Sequence, residues 1–429
     1  MSPPLHSQAE NAPGPKGSRE LREQWLQLMV DFILNFPQTI DCAEMKRYNH
    51  LTGLARGGTH LAAYFEYLLG TVKSYNKSVK QKLLDMIITR GIATRGDSVT
   101  LLGEDVCLRN IPQELRLLEC LNQSPRAVKV AEFFEYTKSY RYSVVMRVDE
   151  PLKDETIAAL AATGQLCEFK DEDTAHNDEL GSLTEMPSKI FYTNHADEYR
   201  FKLCFKIDRY DSEGNAVKRK FSVLVVVHKE SNLVEIRYDS LPSYIGNNDM
   251  FYLTCINNVT AWIGHMLKLN IVDKDAPSER IRYIVVNRER LLADGEAIII
   301  GQGMKFGNGS SADLFVGTSE SGVLPLIGEL RQFLSDHEEA FKEVPELQQE
   351  LQNFLSEKEQ DSDWPWLSLR LNYQNKNIEL KYTTELYGMG MCRIMFIENT
   401  KYDAEAMSYA IKYITKNNSD HPAIEPADA

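Results

Sequence analysis

Two observations predict an α+β fold with two regions: charge is unevenly distributed, and the hydrophobic pattern changes along the chain. Residues 19–150 contain 18 basic and 16 acidic side chains (net +2), whereas residues 151–429 contain 29 and 45 (net −16). Apolar residues recur every three or four positions in the first region and largely alternate in the second. We predict a helical N-terminal domain followed by a mainly antiparallel sheet domain with flanking helices.

Composition places the domain boundaries. The ends of the chain read as tails, and the charged run that begins at Asp171 reads as a linker, because neither carries a periodic apolar pattern. The predicted organisation is a disordered tail over 1–18, a helical domain with a β-hairpin over 19–169, a charged linker over 170–198, an antiparallel α+β domain over 199–416, and a disordered tail over 417–429.

The N-terminal domain is predicted to be built from amphipathic helices. In the first of them Trp25, Leu28 and Phe32 form one apolar stripe, and the third stops at Gly91, a typical helix C-terminus. The helices cover 18–36, a segment from 59 onward, 78–90, 113–121 and 127–136, with a hairpin over 92–109 and a strand over 140–148. This order is compatible with a winged-helix-like module and equally with a plain helical domain.

The C-terminal domain opens with a predicted three-stranded meander. In strand 201–207 apolar residues alternate with Lys202 and Lys206, which indicates a half-exposed strand, and segment 221–227 is apolar on both faces, which indicates a central one. The third strand of the meander is 233–238. The further predicted strands are 282–286, 297–300, 366–373, 378–382 and 393–397. The predicted helices are 251–269, two acidic helices within 323–358, and 404–413.

Composition also restricts compartment and partners. The seven cysteines are scattered and form no Cys-x-x-Cys pair, which favours a reducing cytoplasm and removes the usual zinc sites. The N-terminus lacks the pattern of a signal peptide, and no apolar run reaches the roughly 18 residues of a membrane span. We predict a cytoplasmic protein with no membrane association, no metal and no cofactor.

A glycine-rich segment after the strand at 297–300 is the strongest candidate for a ligand loop. Its candidate residues are Gly301, Gly303, Lys305, Gly307, Gly309 and Ser310. Glycines after an apolar strand resemble a phosphate-cradling turn, in which backbone N–H groups approach an anion. No helix opening follows, however, as a dinucleotide-binding turn requires, so a turn-rich loop is favoured over a ligand loop.

Glu379 and Lys381, together with Asp363, follow the residue order of a metal-dependent nuclease. Carboxylates that share a divalent metal must lie within about 5 Å of each other. A two-residue turn at 375–376 would place Glu379 opposite Asn372 and leave Asp363 roughly 30 Å away. An exposed, salt-bridged strand is therefore favoured over a nuclease site.

A basic and aromatic stretch is the best nucleic-acid candidate. Its residues are Lys129, Lys138, Tyr140, Arg141, Tyr142 and Arg147. Basic side chains would contact phosphates and tyrosines would stack on bases. An amphipathic helix followed by an edge strand accounts for the same pattern and is favoured, since acidic residues dilute the positive charge.

The sequence therefore favours a non-enzymatic role. We expect the reactive side chains to be dispersed rather than gathered around one point, and predict a non-catalytic cytoplasmic adaptor or regulatory subunit with a protein partner. One alternative is a nucleic-acid-associated protein that binds through its N-terminal domain; another is a metal-dependent nuclease or nucleotide-binding enzyme in the C-terminal domain. Should one acidic helix stand off the sheet, its acidic face would suit a basic partner.

Overall fold

The described residues form one large mixed β-sheet with helices against both of its faces. The computed structural model describes residues 58–416, except 96–105, 171–177, 212, 243–248, 288–290, 292–296, 306–308, 316–325, 361–364, 385 and 387–389. Within these residues the chain forms eleven α-helices, a two-stranded pair and a thirteen-stranded sheet. The predicted α+β class is confirmed, and the predicted helix over 18–36 and both tails lie outside the described residues.

The N-terminal elements are mostly the predicted helices. They are α1 (Gly58–Ser74), α2 (Lys77–Thr89), β1 (Ala93–Thr94), β2 (Val106–Cys107), α3 (Arg116–Gln123) and α4 (Pro125–Thr137). Asn76 caps α2 by accepting a hydrogen bond from the Val79 N–H, and Gly91 follows that helix with φ of +65°. β1 and β2 pair in parallel, so the prediction of antiparallel hairpin arms over 92–109 is wrong.

The main sheet contains the predicted C-terminal strands, except the one over 282–286, and several more. Its strands are β3 (Tyr142–Val148), β4 (Leu166–Glu168), β5 (Leu180–Gly181), β6 (Ile190–Asn194), β7 (Glu198–Tyr210), β8 (Ala216–His228), β9 (Leu233–Tyr238), β10 (Ile271–Asp273), β11 (Ala297–Lys305), β12 (Ser311–Phe315), β13 (Trp366–Tyr373), β14 (Lys376–Thr383) and β15 (Arg393–Ile397). Their order is β12-β11-β13-β14-β15-β3-β9-β8-β7-β6-β4, with β10 against β3 and β5 against β7.

The sheet runs across the predicted domain boundary. Strand β3, which the sequence assigned to the helical domain, pairs with β9 on one side and β15 on the other. Strands β5 and β6 lie inside the predicted linker over 170–198, and both pair with β7. The charged composition of that segment therefore does not separate two sheets.

The C-terminal helices flank this sheet. They are α5 (Asp154–Ala162), α6 (Asp249–Met266), α7 (Ser278–Val286), α8 (Leu326–Asp336), α9 (Glu338–Phe341), α10 (Pro345–Gln360) and α11 (Ala404–Ile414). The prediction of a strand over 282–286 is wrong, because α7 buries Ile281, Ile284 and Val285 at helical spacing. This buried stripe overrides the β-propensity of its branched residues.

Two apolar clusters lie on opposite faces of the sheet. On β3 the side chains of Val144 and Met146 join the cluster covered by α6, and Val145 joins the cluster covered by α7 and α11. Because both faces are covered, residues that alternate along the central strands are buried on either side. No helix in the described part of the chain is long and apolar enough to cross a membrane.

Candidate functional site

The first two glycines of the predicted ligand loop lie within strand β11. A Cβ atom on Gly303 would lie 2.5 Å from Nε1 of Trp366, and one on Gly301 would lie 3.1 Å from that indole. These glycines therefore let the Trp366 ring pack across β11. Lys305 ends the strand and is exposed. The ligand-loop hypothesis stays a prediction.

Gly309 and Ser310 lie directly before β12. Gly309 has φ of +82°, a conformation that favours glycine, and the neighbouring Ser310 is exposed. Gly307 lies outside the described residues.

Glu379 and Lys381 make ordinary contacts on strand β14. Glu379 lies opposite Arg370 and accepts a hydrogen bond from its guanidinium Nε at 2.9 Å. The Nζ atom of Lys381 lies 3.9 Å from the ring centroid of Trp366. The predicted register, with Asn372 opposite Glu379, is wrong by two residues because the turn falls at 374–375, where both residues have positive φ. The acidic partner in the nuclease hypothesis lies outside the described residues.

The basic and aromatic stretch is largely inside the molecule. Lys129, Lys138 and Tyr140 are buried, whereas Arg141, Tyr142 and Arg147 are half-buried. Tyr142 packs against Tyr238, with ring centroids 5.3 Å apart. The buried members do not lie on an open surface, so their positions give the hypothesis of a nucleic-acid surface no support.

Charged side chains do converge at a place that the sequence reasoning missed. The buried ionic cluster consists of Glu132 on α4, Asp178, Lys202 on β7 and Lys220 on β8. Lys202 Nζ lies 2.7 Å from Glu132 Oε2 and 2.9 Å from Asp178 Oδ2, and Lys220 Nζ contacts the same two oxygens. Three of these side chains are 0% exposed and Asp178 is 3% exposed. The expectation that the reactive side chains are dispersed is therefore wrong.

The cluster arises from strand alternation beneath a helix. On β7 the residues Lys202 and Cys204 share one face of the sheet, opposite the apolar residues buried against α6. Helix α4 covers that face and inserts Glu132 between the two lysines. The prediction that Lys202 lies on a half-exposed face is wrong, although Lys206, near the end of the strand, is exposed.

The electrostatics of the cluster are balanced. Burial would lower the pKa of Lys220, but Glu132, Tyr64 and Asp178 raise it well above its usual value. Burial, reinforced by Asp178, raises the pKa of the Cys204 thiol. Two carboxylates and two ammonium groups cancel formally, and the Tyr64 hydroxyl donates to Glu132. The saturated groups favour a rigid structural role over proton transfer or nucleophilic attack.

A second buried network lies further along the same face. The Arg237 guanidinium donates two hydrogen bonds of 2.8 Å to Glu235, and His228 Nε2 lies 2.6 Å from the same carboxylate. Ser408 of α11 bridges this group to Glu198, accepting from Arg237 at 2.8 Å and donating to Glu198 at 2.9 Å. Burial would raise the pKa of Glu235, but Arg237 and His228 lower it to about 2.

A basic pocket of about 280 Å³ opens beside the ionic cluster. It lies where the α1–α2 junction, the α4–β3 junction, β8 and the residues after β9 meet. Its charged lining residues are Lys138, Arg141, Arg219, Lys220, Glu135 and Asp239. Two residues of the predicted basic stretch, Lys138 and Arg141, therefore line a concave site rather than an open surface.

The helices α8 to α10, which we call the acidic lobe, pack against the β11–β12 hairpin. Met304 of β11 packs there with Leu334 and Leu355 in a small cluster of its own. Beside that cluster Leu330 is 43% exposed and Phe333 is 54% exposed. Leu347 on α10 is 48% exposed. The lobe thus presents apolar side chains on strongly acidic helices.

Among the described residues, no group of three or more His, Cys, Asp or Glu side chains is placed to hold a metal ion. In comparisons with known proteins, no family model, no curated protein and no solved structure matches the chain. The features of the structure that bear on function are the ionic cluster, the basic pocket and the acidic lobe.

Proposed function

We propose that this protein is a non-catalytic cytoplasmic component that acts through protein–protein contacts, as an adaptor or regulatory subunit. The observation that carries the proposal is the exposure of Leu330, Phe333 and Leu347 on the acidic lobe. A contiguous exposed apolar patch with a polar rim marks an interaction surface, and we propose that these three side chains form such a patch. The charged groups of the ionic cluster and of the second buried network, in contrast, are paired with one another.

The composition of the lobe specifies the chemistry of the partner. Residues 326–360 contain nine acidic and three basic side chains, a net charge of −6. A basic amphipathic helix would complement both this charge and the exposed apolar positions. We therefore assign the lobe a partner protein that presents such a helix.

The alternative functions have weaker support. The basic and aromatic stretch is mostly buried, and Glu379 and Lys381 are engaged with Arg370 and Trp366. These contacts favour neither a nucleic-acid surface nor a nuclease centre.

A synthetic amphipathic helix of leucine and lysine, labelled with fluorescein, tests the proposal by fluorescence anisotropy on the full chain. We expect the variant Leu330→Ser/Phe333→Ser/Leu347→Ser to bind this peptide at least about tenfold more weakly, since each lost apolar contact reduces affinity. Leu115→Ser is the matched control, because Leu115 is 49% exposed outside the lobe. Equal binding by the lobe variant, or equal binding of a scrambled peptide, would contradict the proposal.

A further inference from the structure

The basic pocket adjoins a second pocket of different character. The second one has a volume of about 230 Å³ and a mainly apolar lining with Val79, Met86 and Phe134, which also includes Lys82 and Asp403. Val79, Lys138 and Ser139 line both pockets, so the two compartments are neighbours. The two compartments together reach the size range of small-molecule sites, roughly 300–1,000 Å³.

Charge distinguishes the first compartment. Four cationic and two anionic side chains line it. Both acids already contact Lys138: its Nζ lies 3.5 Å from Glu135 and donates to Asp239. Glu135 also accepts hydrogen bonds from the Tyr75 and Tyr140 hydroxyls, and Asp239 accepts one from the Arg141 backbone N–H at 3.0 Å. Lys220 is balanced within the ionic cluster, so Lys138, Arg141 and Arg219 against Glu135 and Asp239 leave the lining a net charge of +1, which favours an anion.

Two residues that line this compartment, Thr71 and Lys220, are held in place by the surrounding structure. Thr71 Oγ1 donates to the Lys220 carbonyl at 2.7 Å and accepts from the Lys220 N–H at 2.9 Å. The Lys220 ammonium is held by Glu132 and Asp178 in the ionic cluster. A site whose groups are already fixed loses little entropy on binding.

We propose that the two compartments form a binding site for a nucleoside mono- or diphosphate. The phosphate would lie in the basic pocket, where arginine guanidinium groups suit its geometry. The flat base would lie against Met86 and Phe134 in the apolar pocket. Inorganic phosphate would fill the basic compartment alone and a free nucleoside the apolar one alone, so each binds more weakly than the nucleotide.

Isothermal titration of the full chain with AMP, ADP, inorganic phosphate and adenosine tests the proposal. We expect AMP or ADP to bind at least about tenfold more tightly than phosphate or adenosine. Arg141→Gln weakens nucleotide and phosphate binding alike, because it removes a charge-assisted contact. Met86→Trp, which fills the apolar compartment, removes the nucleotide preference and leaves phosphate binding intact.

The control variant is Arg370→Gln, which alters an arginine on β13 and leaves both pockets unchanged. Circular dichroism of each variant establishes that it is folded. The proposal is overturned if no nucleotide binds, if phosphate binds as tightly as AMP and ADP, or if folded Arg141→Gln and Met86→Trp both bind nucleotide like the unsubstituted chain. Loss of binding in Arg370→Gln would also overturn it.

Discussion

Replacing Glu132 by glutamine should strongly destabilise the fold, because it removes one charge from the buried ionic cluster without changing side-chain size. Lys202 and Lys220 would then share only Asp178, at 2.9 and 3.0 Å, and the cluster would carry an uncompensated positive charge. Removing one partner of a buried ion pair costs about 3–5 kcal/mol. Since domain stabilities are typically about 5–15 kcal/mol, the loss should be a large share of the total.

Urea denaturation followed by far-ultraviolet circular dichroism measures this change in unfolding free energy. The matched control is Glu66→Gln, because Glu66 on α1 forms a 2.7 Å ion pair with Lys218 and both side chains are about half exposed. We expect that control to cost less than about 1 kcal/mol. The double variant Glu132→Gln/Lys202→Met restores charge balance and should recover part of the loss.

The comparison of Glu132→Gln with Glu66→Gln tests whether the ionic cluster is a desolvated ion network. If Glu132→Gln costs no more than Glu66→Gln, the four groups of the cluster do not form a desolvated ion network. A double variant less stable than Glu132→Gln alone would show that packing, rather than charge balance, dominates at Lys202. Either result would refute the reasoning.

Three further predictions test other parts of the structure. Glu235 has a pKa of about 2 rather than its ordinary 4.5, so it stabilises the fold above pH 4.5. About 3 kcal/mol of this stability should be lost as pH falls from about 4.5 to about 2, measurable by urea unfolding across that range. Gly303→Ala should cost roughly 1–3 kcal/mol because its methyl group meets Trp366, whereas Gly264→Ala, whose nearest contact is at 3.6 Å, should be neutral or stabilising in thermal unfolding. Glu379→Ala should change stability by less than about 1 kcal/mol and leave any thermal shift with Mg²⁺ unaltered; a lost shift would revive the nuclease hypothesis.

Elements with strong local signals were predictable from the sequence. The alternation over Leu233–Tyr238 and Trp366–Tyr373 is strand-like, and both segments are strands at those positions. Helix α11 follows the same rule, with Asp403 capping it through the Ala406 N–H. These signals are contained in a few neighbouring residues, so tertiary context did not change them.

Elements decided by distant contacts were not predictable in this way. Helix α7 carries a run of branched residues that favours a strand, and only its buried stripe against the sheet selects the helix. Strand β3 looks like the edge of an N-terminal domain, yet it lies between β9 and β15. Its neighbours are nearly 100 and 250 positions away in the chain, beyond the reach of periodicity arguments.

The ionic cluster illustrates why the chemistry of the interior could not be predicted from the sequence. A lysine that alternates with apolar residues has the same pattern whether it faces water or a carboxylate beneath a helix. The distinction lies in the partner: Glu132 is 70 positions from Lys202, and Asp178 is 42 positions from Lys220. Because helices cover both faces of the sheet, the polar residues that alternate along its strands are buried too. Their charges must be paired to be tolerated in the interior. Because these paired groups are withdrawn from solvent, the recognition sites that we propose are the basic pocket and the acidic lobe, where charged and apolar side chains still meet open space.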